Sequence, residues 1–492
     1  MSKYCLKKGK NLSDFVQEKG INIEYNCGSN HTCGKCKFRV VEGIIEPNEI
    51  ERKLLSEQEL NSGFRLACTN DSFENDIVFE VETEKEFAIL GLNSTSFSPQ
   101  NEHGHGLALD LGTTTVVLAL VNLETGMVEE EHLFINPQRV YGLDVISRIA
   151  QCNKVSVEQV QQILLAELRS YLSNFESMDI KRMVVSGNPT MTHIFMGVDP
   201  ASIAKAPYLC SVNELTIIQS QQILESLAND YPIYVIPPIS AYVGADVVMG
   251  IYESKLMADN KKKLFIDLGT NGEIALYDNG KILVSSAACG PAFEGGNMAC
   301  GKGAIKGAID NFEYTEGWKF TTIGNKEAIG ICGSGYISLL SLAFKQGIIE
   351  DNGYLAQDIV INNLVYLNAK DVREFQMAKS AIAAAIMCLL QQAKVKASEI
   401  DMVYIAGGFG KHISLVDLFT LGILPMEFEG KIQVLGNTAI KGTCDYLLKM
   451  DAETLDKIIN NSTSVLLANN QNFTNEFMEH MMFGEFYENN SD

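Results

Sequence analysis

Hydrophobic and polar positions alternate with a period of two in "KCKFRVVEG" (35–43) and "DIVFEVE" (76–82), which predicts half-buried strands. Before them, "NLSDFVQEKG" (11–20) offers Ser13 as a cap ahead of one amphipathic turn. Residues 1–82 therefore read as a small domain of short strands around a helix. The periodicity then disappears in a Ser-, Asn-, Pro- and His-containing stretch, 83–104, which suits a linker. From Gly106, "GLALDLGTTTVVLALVNLETGMVEEEHLF" predicts two or three antiparallel strands joined by tight turns. A similar unit, "KLFIDLGTNGEIALYDNGKILVSSA", begins at Lys263, and D-L-G-T occurs in both. Helical periodicity over 156–175 and in "REFQMAKSAIAAAIMCLLQQAKV" separates and follows the two units. Two related α/β lobes, 105–260 and 261–492, within one domain of 105–492 follow from this repeat.

Composition narrows the functional class. The 492 residues are 46% hydrophobic, enough for more than one packed core. The apolar run Ala381–Leu390 is about half the roughly 20 residues a membrane span needs, so no membrane role is expected. "MSKYCLKKGKNL" is charged with no apolar run behind it, giving no secretory signal and an expected cytoplasmic address. A formal charge of −22 opposes binding to nucleic acid, where affinity comes from Lys and Arg. The 12 cysteines are then expected to be reduced thiols, metal ligands or redox centres.

Cys27, Cys33 and Cys36 crowd into one loop with C-x5-C-x2-C spacing, and Cys68 follows after thirty-one further residues. Thiolates are soft donors suited to an iron–sulfur cluster or to zinc. Structural zinc more often uses two paired knuckles, whereas Cys68 in "FRLACTND" stands alone; buried structural thiols are the remaining alternative. Cys5 lies outside the pattern and is expected to pack, and His31 reads as a loop surface residue rather than a ligand. The stretch "GKNLSDFVQEKGINIEYNCGSNHTCGKCKFRVVEG" resembles a [2Fe-2S] ferredoxin of the β-grasp fold. The resemblance implies that Cys27, Cys33, Cys36 and Cys68 ligate the cluster.

Each D-L-G-T turn, taken singly, reads equally well as an ordinary β-turn. Two copies suggest that Asp110 with Gly112, Thr113, Thr114 and Thr115, and Asp267 with Gly269, Thr270, Asn271 and Gly272, grip one phosphate tail from opposite lobes. Carboxylates would hold hydrated Mg²⁺ there. Together with "PPISAYVGADVVMGIYE", "MVYIAGGFGKH" and "VLGNTAIKGTCDYLL", they resemble the five motifs of the actin, sugar-kinase and heat-shock-chaperone ATPase superfamily. That resemblance implies an actin-like fold and ATP. It further implies an adenosine contact at Gly407, Gly408 and Gly410, a nucleoside contact near Lys379, and Asp246 positioning the attacking water.

A ferredoxin domain fused to such an ATPase, with "GNPTMTHIF", "GPAFEGG" and "AGGFG", resembles the reductive activators of corrinoid-dependent methyltransferase systems. The expected fold is thus an α+β β-grasp ferredoxin domain followed by a two-lobed α/β actin-like ATPase domain. The resemblance implies ATP-dependent return of Co(II) to Co(I) in a corrinoid protein, an upstream electron donor and a homodimer. Longer family members carry a middle domain that the twenty-odd residues of 83–104 are too short to contain. The alternatives are a small-molecule kinase with a ferredoxin redox sensor, an ATP-driven donor to another low-potential metalloenzyme, and a redox scaffold without turnover.

Overall fold

A computed structural model describes the chain except residues 1, 20, 22, 24–30, 32, 33, 35, 71, 82–91, 93, 94, 96, 101, 143, 226–228, 363, 364, 409–412 and 489–492. The N-terminal unit runs β1 (Ser2–Leu6), α1 (Leu12–Glu18), β2 (Lys37–Glu42), α2 (Glu49–Leu54), α3 (Glu57–Asn61), β3 (Phe64–Leu66) and β4 (Ile77–Val81). Its sheet order is β1-β4-β2-β3. The alternation in β4 places Ile77, Phe79 and Val81 inward against Leu12 and Val16 of α1. Two expectations are corrected here. Helix α1 is capped by Asn11, whose carboxamide oxygen accepts the Asp14 N–H at 3.0 Å, and Ser13 lies inside the helix. Cys5 is exposed, because it sits on the outward face of the edge strand β1.

The first lobe contains β5 (His105–Leu111), β6 (Thr115–Asn122), β7 (Val128–Ile135), α4 (Val145–Lys154), α5 (Val157–Leu172), β8 (Ile180–Gly187), α6 (Pro189–Phe195), β9 (Thr216–Gln219), α7 (Ser220–Ile223), β10 (Pro232–Val235) and α8 (Ala245–Glu253). The second contains β11 (Lys263–Leu268), β12 (Gly272–Asp278), β13 (Lys281–Ala287), β14 (Ala308–Tyr314), β15 (Trp318–Thr322), β16 (Gly330–Ile331) and α9 (Gly333–Lys345). It continues with β17 (Ile359–Val360), β18 (Tyr366–Leu367), α10 (Ala369–Ala393), β19 (Met402–Ala406), α11 (Leu415–Thr420), β20 (Ile432–Gly436), α12 (Thr438–Lys449), α13 (Ala452–Asn461), β21 (Ser462–Ser464) and α14 (Phe473–Glu479).

The main sheets run β7-β6-β5-β8-β10-β9 and β20-β19-β11-β12-β13-β21. In each, a three-strand antiparallel meander starts at the D-L-G-T strand, which then pairs in parallel with a later strand: β5 with β8, and β11 with β19. A further parallel strand follows in each, β10 and β20. The tetrapeptide repeat is thus a repeat of connectivity.

Between the sheets, α8 and α12 cross. Val248 and Ile251 of α8 and Ile440 and Leu447 of α12 share one core with Ala108, Ala119, Phe265 and Ala275 from both sheets. The crossing is close because Gly442 has no side chain: a Cβ there would lie 2.1 Å from the Met249 carbonyl oxygen. The Thr443 hydroxyl of α12 meets the Ser186 hydroxyl of β8 at 2.7 Å. No helix among the described residues is long and apolar enough to cross a membrane.

Candidate functional site

The first site lies at one end of the β2–β3 pair. Lys37 is opposite Leu66, and the Ala67 N–H donates to the Cys36 carbonyl at 2.8 Å, so register alone brings Cys36 and Cys68 to the same end of the sheet. Cys36 is buried, and Cys68 sits half-buried in the 3-10 turn Ala67–Thr69. A buried carboxylate holds that turn. Glu51 Oε1 accepts from the Leu66 N–H and from Asn70 Nδ2, both at 2.7 Å, while Asn48 caps α2 beneath it. Gly34 turns the preceding loop at φ +64, where an added Cβ would lie 3.2 Å from the Leu54 carbonyl oxygen. His31 Nδ1 is 3.3 Å from Cys68 Sγ, and the two border an open depression shared with Asn48, Glu49, Ile50 and Thr69. Cys27 and Cys33 lie outside the described residues. Two thiols at one sheet end, beside a glycine turn, fit the soft-donor chemistry of an iron–sulfur cluster.

The second site is a cleft between the lobes, lined by partly exposed carboxylates. Asp110 stands next to last in β5 beside Ser186 of β8, Asp267 is opposite Ala406 of β19, and Asp246 lies in the first turn of α8. Burial pushes Asp110 up to about 8, reinforced by Asp246 and Asp267 and opposed by a hydrogen bond from Asn437, the cap of α12. Burial likewise raises Asp267 to about 7, with Asp246 and Glu294 adding to it, and Asp246 to about 6. Glu273 is pushed well up by burial and the same neighbours, and burial also raises Glu294. Such a group of acids keeps protons near neutral pH or exchanges them for a cation. Among the described residues, no three acidic, histidine or cysteine side chains converge closely enough to hold a metal ion unaided.

The two turns differ in their supports. In the first, Asn136 Nδ2 donates to the Gly112 carbonyl and the Asn136 N–H to the Thr114 carbonyl, both at 2.9 Å; Arg148 Nη2 donates to the Thr113 carbonyl. Asn188 Nδ2 donates to Thr113 Oγ1 at 2.8 Å, and Thr115 begins β6 opposite Ile135. In the second, the Gly269 N–H donates to the Asn271 carbonyl at 3.2 Å, and Thr270 Oγ1 donates to Glu294 Oε2 at 2.6 Å. The Cys289 thiol lies 3.4 Å from the Gly269 carbonyl. Gly272 makes room for α10, since a Cβ there would lie 1.9 Å from Ile382 Cδ1.

Gly407 adopts φ +125 with its absent Cβ 2.6 Å from the Leu268 carbonyl oxygen, so what excludes a side chain is the neighbouring β11 strand. Around Gly408 an added Cβ meets nothing within 4 Å, and Gly410 lies outside the described residues. The expectation for Lys379 is corrected. Its ammonium is fully buried under the C-terminal segment, donating to the carbonyls of Gly422, His480 and Met482, and burial lowers it to about 7. With its donors taken by backbone, Lys379 ties the chain end to α10 and is not offered to the cleft.

Sequence reading did not single out Glu51, Asn136, Arg148, Glu273 or Asn437. Glu294 stood inside the quoted "GPAFEGG" and Asn188 inside "GNPTMTHIF", but as members of glycine- and proline-marked segments without a role.

Family models match three successive stretches: a 2Fe-2S iron-sulfur cluster binding domain over 3–70, the RACo middle region over 105–259, and the C-terminal ASKHA domain of RACo over 261–489. The chain is 30% identical over 443 residues to the corrinoid activation enzyme RamQ of Eubacterium limosum, covering 81% of this chain and 74% of that one. It is 25% identical to the [Co(II) methylated amine-specific corrinoid protein] reductase of Methanosarcina barkeri, with 76% of each covered. The solved structure of a reductive activator for corrinoid, iron-sulfur protein superposes with a TM-score of 0.72 at 26% identity, covering 98% of this chain and 96% of that one. The expected lack of a middle domain is therefore wrong: the middle region is the stretch that forms the first lobe, and only the connector before it is short.

Proposed function

The chain belongs to the family of RACo-type reductive activators of corrinoid proteins, and on that premise we propose that it moves one electron to the Co(II) of a corrinoid protein, with ATP hydrolysis, to regenerate Co(I). The observation that carries this reading is the presence, on one chain, of a thiol centre at a sheet end and of a two-lobed acidic cleft. The [2Fe-2S] cluster held by Cys36 and Cys68, with Cys27 and Cys33, supplies a one-electron carrier. Each roughly 59 mV against the electron's natural direction costs about 1.4 kcal/mol, which ATP binding and hydrolysis offset by biasing the lobes between two arrangements.

The residues of the cleft divide the work. Gly112, Thr113, Thr114 and Thr115 present backbone and hydroxyl donors to phosphate oxygens, and Gly269, Thr270 and Asn271 face them from the other lobe. Asp110 and Asp267 would hold Mg²⁺, which would offset the phosphate charge, and Asp246 would orient the attacking water. Gly407 and Gly408 border the adenosine. Asn437 on Asp110 couples the cap of α12 to the carboxylates, so a shift of the α8–α12 crossing alters the cleft.

The remaining features of this reading are a cytoplasmic location, a homodimer and an upstream electron donor that meets the chain near the depression beside Cys68. Light scattering of the purified protein tests the dimer. The central test mixes anaerobic full-length protein, a reductant and a Co(II) corrinoid protein, with and without MgATP, and follows cobalt absorption. ATP-dependent appearance of Co(I) is the expected result; its absence, or an equal yield without ATP, overturns the reading.

A further inference from the structure

Arg148, on α4, is fully buried, and among the described residues no carboxylate bonds to it. Its guanidinium donates through Nε to the Gly142 carbonyl at 2.9 Å, through Nη1 to Met191 Sδ at 3.0 Å, and through Nη2 to the Thr113 carbonyl. Burial lowers it to about 9, opposed by the charge of Asp144 and reinforced by that of Arg139. A desolvated cation whose acceptors are all neutral is costly, which calls for a compensating role.

The geometry of the first turn supplies one. In a trans peptide, the C=O of one residue and the N–H of the next point in opposite directions. Asn136 Nδ2 and Arg148 Nη1 both reach Met191 Sδ, at 3.5 and 3.0 Å, so the Gly112 and Thr113 carbonyls are drawn toward one buried patch. The N–H groups of Thr113 and Thr114 are thereby turned away from that patch, and they meet no acceptor among the described residues. Successive N–H groups aimed one way form an anion-binding concavity. Gly112 permits the turn, since a Cβ there would lie 2.4 Å from the Thr115 carbonyl oxygen.

The other turn lacks this arrangement. Its carbonyls have the neutral Cys289 thiol beside them, and Glu294 accepts from Thr270.

We infer that Arg148 is a positioning residue for the nucleotide's polyphosphate, holding the Thr113 carbonyl back so that the Thr113 and Thr114 amides bind phosphate oxygens. This rests on the ATP reading above. Arg148 itself touches no nucleotide; it selects for the phosphates rather than for the adenosine.

Calorimetric titration of the full chain with MgATP, MgADP and adenosine tests the inference. Arg148→Gln is expected to weaken MgATP and MgADP by about tenfold or more, the loss of a charge-assisted hydrogen bond, and to leave adenosine within about twofold. Arg148→Lys keeps the charge but cannot span Gly142 and Thr113 together, so it recovers only part of the loss. Met191→Leu, close in volume but without the sulfur acceptor, carries the same test with a smaller selective loss if Arg148→Gln does not fold. Equal weakening of ATP and adenosine, or no change in either, overturns the role of Arg148. Failure of the wild-type protein to bind MgATP overturns the nucleotide reading instead.

Discussion

Gly442→Ala tests whether the α8–α12 crossing governs the cleft. The added Cβ would lie 2.1 Å from the Met249 carbonyl oxygen and 2.8 Å from its carbon, against 3.4–4 Å for ordinary contact. The obstacle is helix backbone, so the helices must separate by more than about 1 Å, where a side chain could have rotated aside. Two effects oppose each other. Alanine favours the helix by about 1 kcal/mol, while overpacking against unyielding backbone costs about 1–3 kcal/mol. The clash should win by up to about 2 kcal/mol, lowering the thermal midpoint by up to about 2–4 °C. The functional effect should be larger. Asn437 at the start of α12 bonds to Asp110, and Asp246 stands in the first turn of α8, so separation of the helices pulls at both. A misplacement of about 1 Å can reduce turnover about a hundredfold. The assay is MgATP hydrolysis beside differential scanning calorimetry, with Gly317→Ala as control because an added Cβ there meets nothing within 4 Å. A raised midpoint with full turnover would refute the reasoning, since propensity would then have outweighed a contact that was not tight.

Asp110→Asn should flatten the pH dependence of stability and cut MgATP hydrolysis by about 100-fold or more. Asp110 is raised to about 8, so its contribution is fully present below pH about 4 and is lost as pH rises through about 8. Melting curves from pH 5 to 9 check this, and an unchanged slope contradicts it. Cys68→Ser should lower iron and sulfide per chain and alter the paramagnetic spectrum of the reduced protein, while MgATP binding stays as in wild type. Full iron content with an unchanged spectrum would remove Cys68 from the ligand set. Lys379→Met leaves the carbonyls of Gly422, His480 and Met482 without their donor, at a cost of about 2–4 kcal/mol. Faster proteolysis within 473–488 is the readout, and wild-type resistance would show that the ammonium does not hold that segment. Gly407→Ala forces a Cβ to 2.6 Å from the Leu268 carbonyl at φ +125, and should weaken adenosine about tenfold in calorimetry; unchanged affinity would detach Gly407 from the nucleotide site.

What was legible in the sequence was what local pattern controls. The alternation in β4 and the strands on either side of each D-L-G-T are set by side-chain period, so both meanders and the placement of Asp110 and Asp267 could be read directly. The helix over 156–175 was legible for the same reason; the structure caps it at Ser156 and tightens its end at Ser173–Phe175. Asn11 was missed because Ser13 is as good a cap chemically, and only the backbone decides which residue precedes the first turn. Arg148 and Glu51 were missed because their partners are distant carbonyls and amides: Thr113 lies 35 positions from Arg148, and Leu66 lies 15 from Glu51. Lys379 misled because the superfamily resemblance implied a nucleoside contact there, whereas the segment that covers it comes from residues about a hundred positions later.

Glu51 also bears on how the redox centre is built. Since α2 fixes the backbone around Cys68 through a carboxylate, the proposed cluster would find one corner of its cage set by protein chemistry. On the proposed ligand set, assembly would fill a frame whose anchor is already in place, and a chain stripped of its inorganic core should keep that corner ready for reloading.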